Sequence, residues 1–206
     1  MTARNPDNET ELPPKPDPTT GEPHPPQAPR EWFDFPGERE QDPHQAGAWP
    51  RELGPLLECY TPSKKNSTAN AGISALLMAG GCTLIFAGFD WVSQWWVWLF
   101  IALVAAASYL SIRNSTCSAG AEWFFHNKKW VRQYELSSVK VKMRFSNRYL
   151  HLTDQDGRKT ATFLGDIQAN QRLWDLVYNG IRHSVANAAE TNWVARRALE
   201  LHDLTQ

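Results

Sequence analysis

The chain carries no lysine, arginine, aspartate, glutamate or histidine from Asn66 to Phe89, and none again from Trp91 to Ile112. Two charge-free stretches of that length exclude an ordinary solvated surface. A hydrocarbon core about 30 Å thick is crossed by roughly 20 apolar residues rising about 1.5 Å each. The runs Ala69–Phe89 and Trp95–Ile112, divided only by Asp90-Trp91-Val92-Ser93-Gln94, therefore predict a membrane-spanning helical hairpin. Cysteine is scarce too. Cys59, Cys82 and Cys117 are odd in number, one lies inside the first run, and no C-x-x-C pair occurs. That excludes a disulfide framework, gives no zinc or redox site, and fits a reduced, cytosol-facing setting for Cys59 and Cys117.

Catalytic signatures are missing as well. The histidines at 24, 44, 126, 151, 183 and 202 show no H-E-x-x-H spacing, and there is no Gly-rich phosphate loop or G-x-S-x-G elbow. Asp154 and Asp156 belong to an Asp-Gly turn rather than to an acid pair. The expectation is a protein that is not an enzyme and holds no metal or cofactor. Met1 to Gly21 contains no apolar stretch, so insertion is expected to rest on the internal hairpin as an uncleaved anchor.

What is present falls into three unlike segments, whose charges cancel to a net of −1. All 14 prolines lie between Pro6 and Pro62, and residues 1–60 hold 12 acidic against 5 basic side chains. Residues 1–62 read as a disordered acidic, Pro-rich arm with too little apolar surface to offset ordering entropy. Leu12 to Pro18 favours an extended polyproline conformation. Two apolar islands, Trp32–Phe35 and Leu53–Leu57, are candidate docking motifs or merely sticky points in a tail. Residues 63–113 are the hairpin, and 114–206 remain for one small module, where 14 basic side chains from Arg113 onward face 9 acidic ones.

Lys64 and Lys65 precede the first span and Arg113 follows the second, while the loop between carries only Asp90. By the bias of Lys and Arg toward the cytoplasmic side, both termini are expected in the cytoplasm and the loop on the far side of the cell membrane. Trp91, Trp95, Trp96 and Trp98 crowd that far boundary, the layer indoles prefer. Ala71, Ala75, Ala79, Thr83 and Ala87 recur every four residues as a helix-packing stripe, with Ala102 and Ala106 as a shorter counterpart on the second span. The hairpin itself accounts for that stripe; a homo-oligomer through it is the alternative.

Beyond Arg113 the apolar period becomes that of strands. Glu122–Phe125 and Trp130–Tyr134 flank a turn at His126–Lys129, Val139 to Phe145 alternates apolar with basic, and Tyr149–Thr153 and Thr160–Leu164 follow. From about Ile167 the period is helical: Leu173, Trp174, Val177, Ile181 and Val185 share one face, and Asn179-Gly180 need not break it. A further helical piece, Trp193 to Leu204, starts behind a Thr191 or Asn192 cap. The expected module is a small antiparallel sheet or partial barrel closed by a C-terminal helix.

On Trp130–Val139, Asp154–Arg158 and the helix from Gln168, residues 69–188 resemble bacterial two-span membrane proteins with a pleckstrin-homology-like domain. Asp166 to Ile181 also resembles actinobacterial membrane proteins, some loosely associated with mobile elements. The resemblance implies a membrane α-helical hairpin plus a small α+β cytoplasmic module, and no activity.

Lys140, Lys142 and Arg144 must share one strand face, with Lys128, Lys129, Arg132 and Arg148 close in sequence. Near an inner leaflet each cation gains about 1 kcal/mol from anionic lipid. The expected partners are the bilayer and, for this face, anionic headgroups or an acidic protein, against the bland reading of a solvated sheet surface. The acidic arm folding onto the basic face is a related possibility. Nucleic acid is not favoured by so modest a charge excess. The leading function is a non-enzymatic scaffold or recruitment module at the cytoplasmic face. The alternative is a component of a membrane transport or plasmid/DNA-transfer assembly through oligomerised hairpins.

Overall fold

A computed structural model describes residues 12–30, 51–113, 115–144, 147–201 and 204. The chain divides into two units: Thr61–Thr116, and a second unit in which residues up to Tyr60 join Cys117–Gln206.

The first unit is two antiparallel helices, α1 (Lys64–Ile85) and α2 (Trp95–Arg113), joined through a short 3-10 turn at Asp90–Ser93. Each is long and apolar enough to cross a membrane. Ala75, Met78, Ala79 and Cys82 of α1 pack against Trp91, Val97 and Ile101. Ala75 and Ala79 of the predicted stripe thus pack within the hairpin, with two corrections. Ala87 lies beyond the end of α1 and is exposed, because the helix stops at Ile85. Ala102 and Ala106 point outward, and the bulkier Val97 and Ile101 fill the contact instead.

Trp91 is a third correction. Trp95, Trp96 and Trp98 are exposed, but Trp91 is buried in the hairpin, where its Nε1 donates to Thr83 Oγ1 at 3.2 Å. The Thr83 hydroxyl in turn donates to Ala79 O at 3.0 Å, so the indole N–H finds its acceptor inside the fold. The outer surfaces of both helices, including Leu76, Leu77, Leu84 and Leu103, are bare of protein.

The second unit has two four-stranded sheets. Strands β1 (Glu58–Tyr60), β2 (Cys117–Ala119), β3 (Trp123–His126) and β4 (Lys129–Arg132) follow one another antiparallel in the first. The second has the order β7 (Lys159–Phe163), β6 (Asn147–Asp154), β5 (Leu136–Arg144) and β8 (Glu190–Thr191), with β8 parallel to β5. Helices α3 (Leu164–Gln168), α4 (Gln171–Ala186) and α5 (Trp193–Ala198) complete it. Inward residues of both sheets, Phe124, Val131, Val139, Val141, Leu150 and Leu152, meet Leu173, Trp174, Val177 and Ile181 of α4 in one core. Each such side chain stabilises by about 1.5–3 kcal/mol on burial.

Local chemistry fixes the corners. Asn127 and Lys128 both take positive φ, 48° and 63°, as the tight β3–β4 hairpin requires. Asp154, almost fully buried, accepts from Arg158 N, Arg158 Nε and Arg132 N at 2.9, 2.7 and 3.2 Å. It closes the turn predicted at Asp154–Arg158 and ties it to β4. The side chain of Asn170 caps α4 by accepting from Leu173 N, and its Nδ2 donates to Cys59 O at 2.9 Å, fastening α4 to β1. Asn192 caps α5 by accepting from Ala195 N. Phe145 and Ser146, between β5 and β6, lie outside the described residues.

Two boundaries differ from those read in the sequence. The module does not begin at 114, because β1 pairs with β2 in the register Glu58↔Ala119, Cys59↔Ser118 and Tyr60↔Cys117. The helical hairpin is inserted into the connection of two neighbouring strands. Nor is the whole of 1–62 an unstructured arm: Leu12 to Arg30 lies along α4 as a strap, held by hydrogen bonds between helix side chains and its backbone. The island Leu53–Leu57 belongs to the module too, with Leu57 N bonded to Ala119 O at 3.0 Å. The other island, Trp32–Phe35, lies outside the described residues.

Gly180 explains the Asn179-Gly180 step inside α4. A Cβ there would stand 2.7 Å from both Gln133 Cβ and Gln133 O. Gln133 is itself fully buried, its Nε2 donating to Ala121 O at 2.6 Å and Gly120 O at 3.2 Å. Gly180→Ala is therefore expected to destabilise the module by about 1–3 kcal/mol despite alanine's higher helix propensity. Thermal unfolding followed by circular dichroism in detergent measures this; unchanged or raised stability contradicts the packing described.

Candidate functional site: the basic face of the second sheet

Strict alternation along β5 turns Val139 and Val141 into the core and leaves Lys140, Lys142 and Arg144 on the other side. Pairing carries that face across the sheet. Lys140 stands opposite His151, Lys142 opposite Tyr149, and Arg144 opposite Asn147. On β7, Phe163 stands beside Tyr149, Ala161 beside His151, and Lys159 beside Thr153. The Tyr149 and Phe163 rings are 6.0 Å apart between centroids. The result is a half-buried aromatic pair with Lys142 alongside, Lys140 and Arg144 two residues to either side along β5, and Lys159 at the far end of β7 on the same face.

Glu190 of β8 is the acidic side chain set against this face, with Lys140 Nζ 2.9 Å from its Oε1. Both ends of the pair are substantially exposed, so it contributes little and is open to exchange for another anion. Asn192, just past β8, bonds Val141 N and O at 3.0 and 2.8 Å and so fixes the edge of β5. Trp193 next to it is a largely exposed aromatic at the start of α5.

Of the seven basic residues singled out by sequence, the structure gathers Lys140, Lys142 and Arg144. Lys128 and Lys129 sit at the β3–β4 turn in the other sheet. Arg132, at the end of β4, is paired with Glu135 at 3.0 Å. Arg148 pairs with Met143 in the register and shares the strand side of Leu150 rather than of Tyr149. Sequence reasoning missed Lys159, because Lys-Thr-Ala-Thr-Phe shows no basic alternation and only the β6–β7 register places it. It also missed Arg158, whose guanidinium carbon lies 3.7 Å from the Trp130 ring centroid while Asp154 and Asp156 hold its nitrogens.

No protein family, curated protein or solved structure matches this chain. The chemistry of the site rests on its own geometry.

A nucleophile-like pair lies at the β2–β3 pairing. Cys117 Sγ and His126 Nδ1 approach to 3.3 Å as directly paired residues of β2 and β3. Complete burial pushes the Cys117 thiol up to about 12, with Asp166 adding to the shift against an opposing hydrogen bond from Thr162. A thiol held protonated and out of reach of solvent is a core contact, not an attacking group. Among the described residues no three His, Cys, Asp or Glu side chains group to hold a metal.

Burial, with Lys142 nearby, holds His151 below the usual histidine value of 6.5. Burial does the same to His183 on α4, helped by Lys15 and Arg182 and opposed by its bond to Pro13 O. Both imidazoles bind a proton less readily in the folded chain than in the unfolded one, so acid favours unfolding. Stability is full above about pH 6.5 and declines as pH falls through the lowered folded values. Histidine resonances titrating below 6.5, and a slope below that pH that flattens in a His151→Gln, His183→Gln variant, are expected; a pH-independent stability from 7 to 5 contradicts the burial described.

Proposed function

We propose that the chain is a two-span integral membrane protein, non-enzymatic, that presents a pleckstrin-homology-like module to the cytoplasm as a scaffold or recruitment surface. Four considerations support membrane placement. The two helices are long and apolar enough to span. They leave their leucine and phenylalanine side chains bare over their outer faces, an apolar area that water would not tolerate. Lys64, Lys65 and Arg113 mark one end and only Asp90 the other. Trp95, Trp96 and Trp98 sit exposed at the Asp90 end, where a headgroup layer would receive them.

A pleckstrin-homology-like architecture is supported by the order of elements: a four-strand antiparallel meander, a three-strand antiparallel meander, then a helix against the core. The C-terminal strand β8, parallel to β5, and α5 are additions to that plan.

The single observation that carries the functional reading is that Lys140, Lys142, Arg144 and Lys159 share one sheet face with Tyr149 and Phe163. Cations around a half-exposed aromatic pair suit an anionic lipid headgroup layer, with the rings entering the interface and the cations taking phosphates. Connections of three residues each, 61–63 and 114–116, join the module to the helices. An extended chain of that length reaches about 10–14 Å, which keeps the module near a bilayer that holds those helices.

The test uses the soluble protein in which residues 61–116 are replaced by a two-residue Asn-Gly turn, which the direct Tyr60↔Cys117 pairing accommodates. Cosedimentation with phosphatidylserine-containing vesicles, and not with pure phosphatidylcholine, is expected. Combined Lys140→Glu, Lys142→Glu and Arg144→Glu should weaken it at least about a hundredfold, at about 1 kcal/mol for each cation removed. Binding unchanged by the triple reversal contradicts the lipid reading.

A further inference from the structure

The outer side of α4 presents Gln171, Asp175, Asn179 and His183 at four-residue steps, so they form a row along the helix. Two limbs of the strap cross that row. On the first, His183 Nε2 donates to Pro13 O at 2.7 Å and Asn179 Nδ2 to Pro14 O at 3.2 Å. On the second, Gln171 Nε2 donates to Ala28 O at 3.1 Å, Trp174 Nε1 donates to Pro29 O at 2.8 Å, and Asp175 Oδ1 accepts from Ala28 N at 2.8 Å. Between the limbs the strap turns at Asp17–Thr20, where the Thr19 and Thr20 amides bond Asp17 Oδ1.

The chemistry is complementary in kind. Eight of the 19 strap residues are proline. Such a segment offers carbonyl acceptors with few N–H donors, and it is extended before it binds, so little entropy is lost on docking. Helix α4 answers with four side-chain donors and one acceptor. All five contacts go to strap backbone and so read extended proline-rich chain as a class. One side-chain contact adds selectivity: Lys15 Nζ lies 4.9 Å from the Tyr134 ring centroid, and that ring is braced edge-on by His183. The groove therefore reads a cation directly after a proline pair.

Among the described residues, the strap leaves part of this groove open. A cavity of about 1200 Å³ is lined by Pro13 and Pro26–Arg30 of the strap and by Gln171, Asn179, Arg182 and Arg197. Two acceptors of residues lining it, Gln171 Oε1 and Asn179 Oδ1, are buried and accept no hydrogen bond among the described residues. A chain with an N–H at those points would bind better than the resident one, by about fivefold for each bond completed.

We propose that the α4 groove is a receptor for extended proline-rich peptide of the proline–proline–cation type, that Leu12–Arg30 is its tethered resident ligand, and that a partner polypeptide of the same chemistry displaces it. The tether gives the strap an effective concentration of about millimolar. A partner succeeds by completing the bonds the strap leaves open, or by being concentrated nearby. This inference goes beyond the lipid-facing role and uses a different surface of the module.

The experiment uses the full chain in detergent micelles, with a protease site inserted after Gly47 and cut only once the protein has folded. The cut strap fragment is expected to stay bound and then to exchange for an excess of fluorescent peptide of sequence Leu12–Arg30. Asn179→Ala with His183→Ala should weaken peptide binding by about tenfold or more. A peptide carrying Lys15→Glu, tested on the unaltered protein, should bind more weakly as well. A fragment that cannot be exchanged, a fragment that leaves and does not rebind, or equal binding of a scrambled peptide overturns the proposal. The triple reversal on the basic sheet face should leave exchange unchanged, so the two readings fail separately.

Discussion

The pairing of Tyr60 with Cys117 is the constraint on which the rest of the architecture depends. These residues are paired neighbours in a sheet, yet 56 residues separate them in the chain. Whatever fills that gap must leave and return at nearly the same point. An antiparallel helical hairpin does so, because its two free ends lie side by side. Closing a disordered loop of that length would cost entropy that grows with its logarithm, whereas the packed hairpin has already fixed its ends. The same pairing recruits Glu58–Tyr60 into the first sheet, and with them Asn170, whose bond to Cys59 O sets where α4 begins.

From α4 the module's two surfaces diverge. One face of the helix, with Leu173, Val177 and Ile181, fills the core between the sheets; another, with Asp175, Asn179 and His183, holds the strap. The basic face belongs to the outward side of the second sheet, set by alternation in β5 and by its register with β6 and β7. Charge on the sheet and backbone hydrogen bonding on the helix are thus separate devices, the first proposed for a headgroup layer and the second for a polypeptide.

Strong periodicity is legible in the sequence. Strands β3 to β7 and helix α4 each carry enough alternating or helical apolar positions to announce themselves, and the Asp154–Arg158 turn follows from Asp-Gly chemistry. Strands β1 and β2 have three residues each, too few for a period, and their pairing is non-local. The strap escapes sequence reading for a physical reason: its composition forbids a core of its own, and its order comes from hydrogen bonds with side chains of α4 more than 140 positions away. Trp91 resembles its exposed neighbours because sequence cannot show that Thr83 offers its indole an acceptor. Of the basic residues, the strand alternation places three correctly, while proximity in sequence misleads for Lys128, Lys129, Arg132 and Arg148, since neighbouring strands here belong to different sheets or opposite faces.

The proposed placement has a bilayer enclosing α1 and α2 with both flanking chains on one side. Labelling of intact cells with a membrane-impermeant maleimide tests this most directly, using Ser93→Cys between the helices and Lys159→Cys on the sheet, each in a background with Cys59, Cys82 and Cys117 replaced. Ser93→Cys should react from outside, and Lys159→Cys only after permeabilisation. Labelling of Lys159→Cys in intact cells, or release of the protein from membranes by alkaline carbonate, would contradict it.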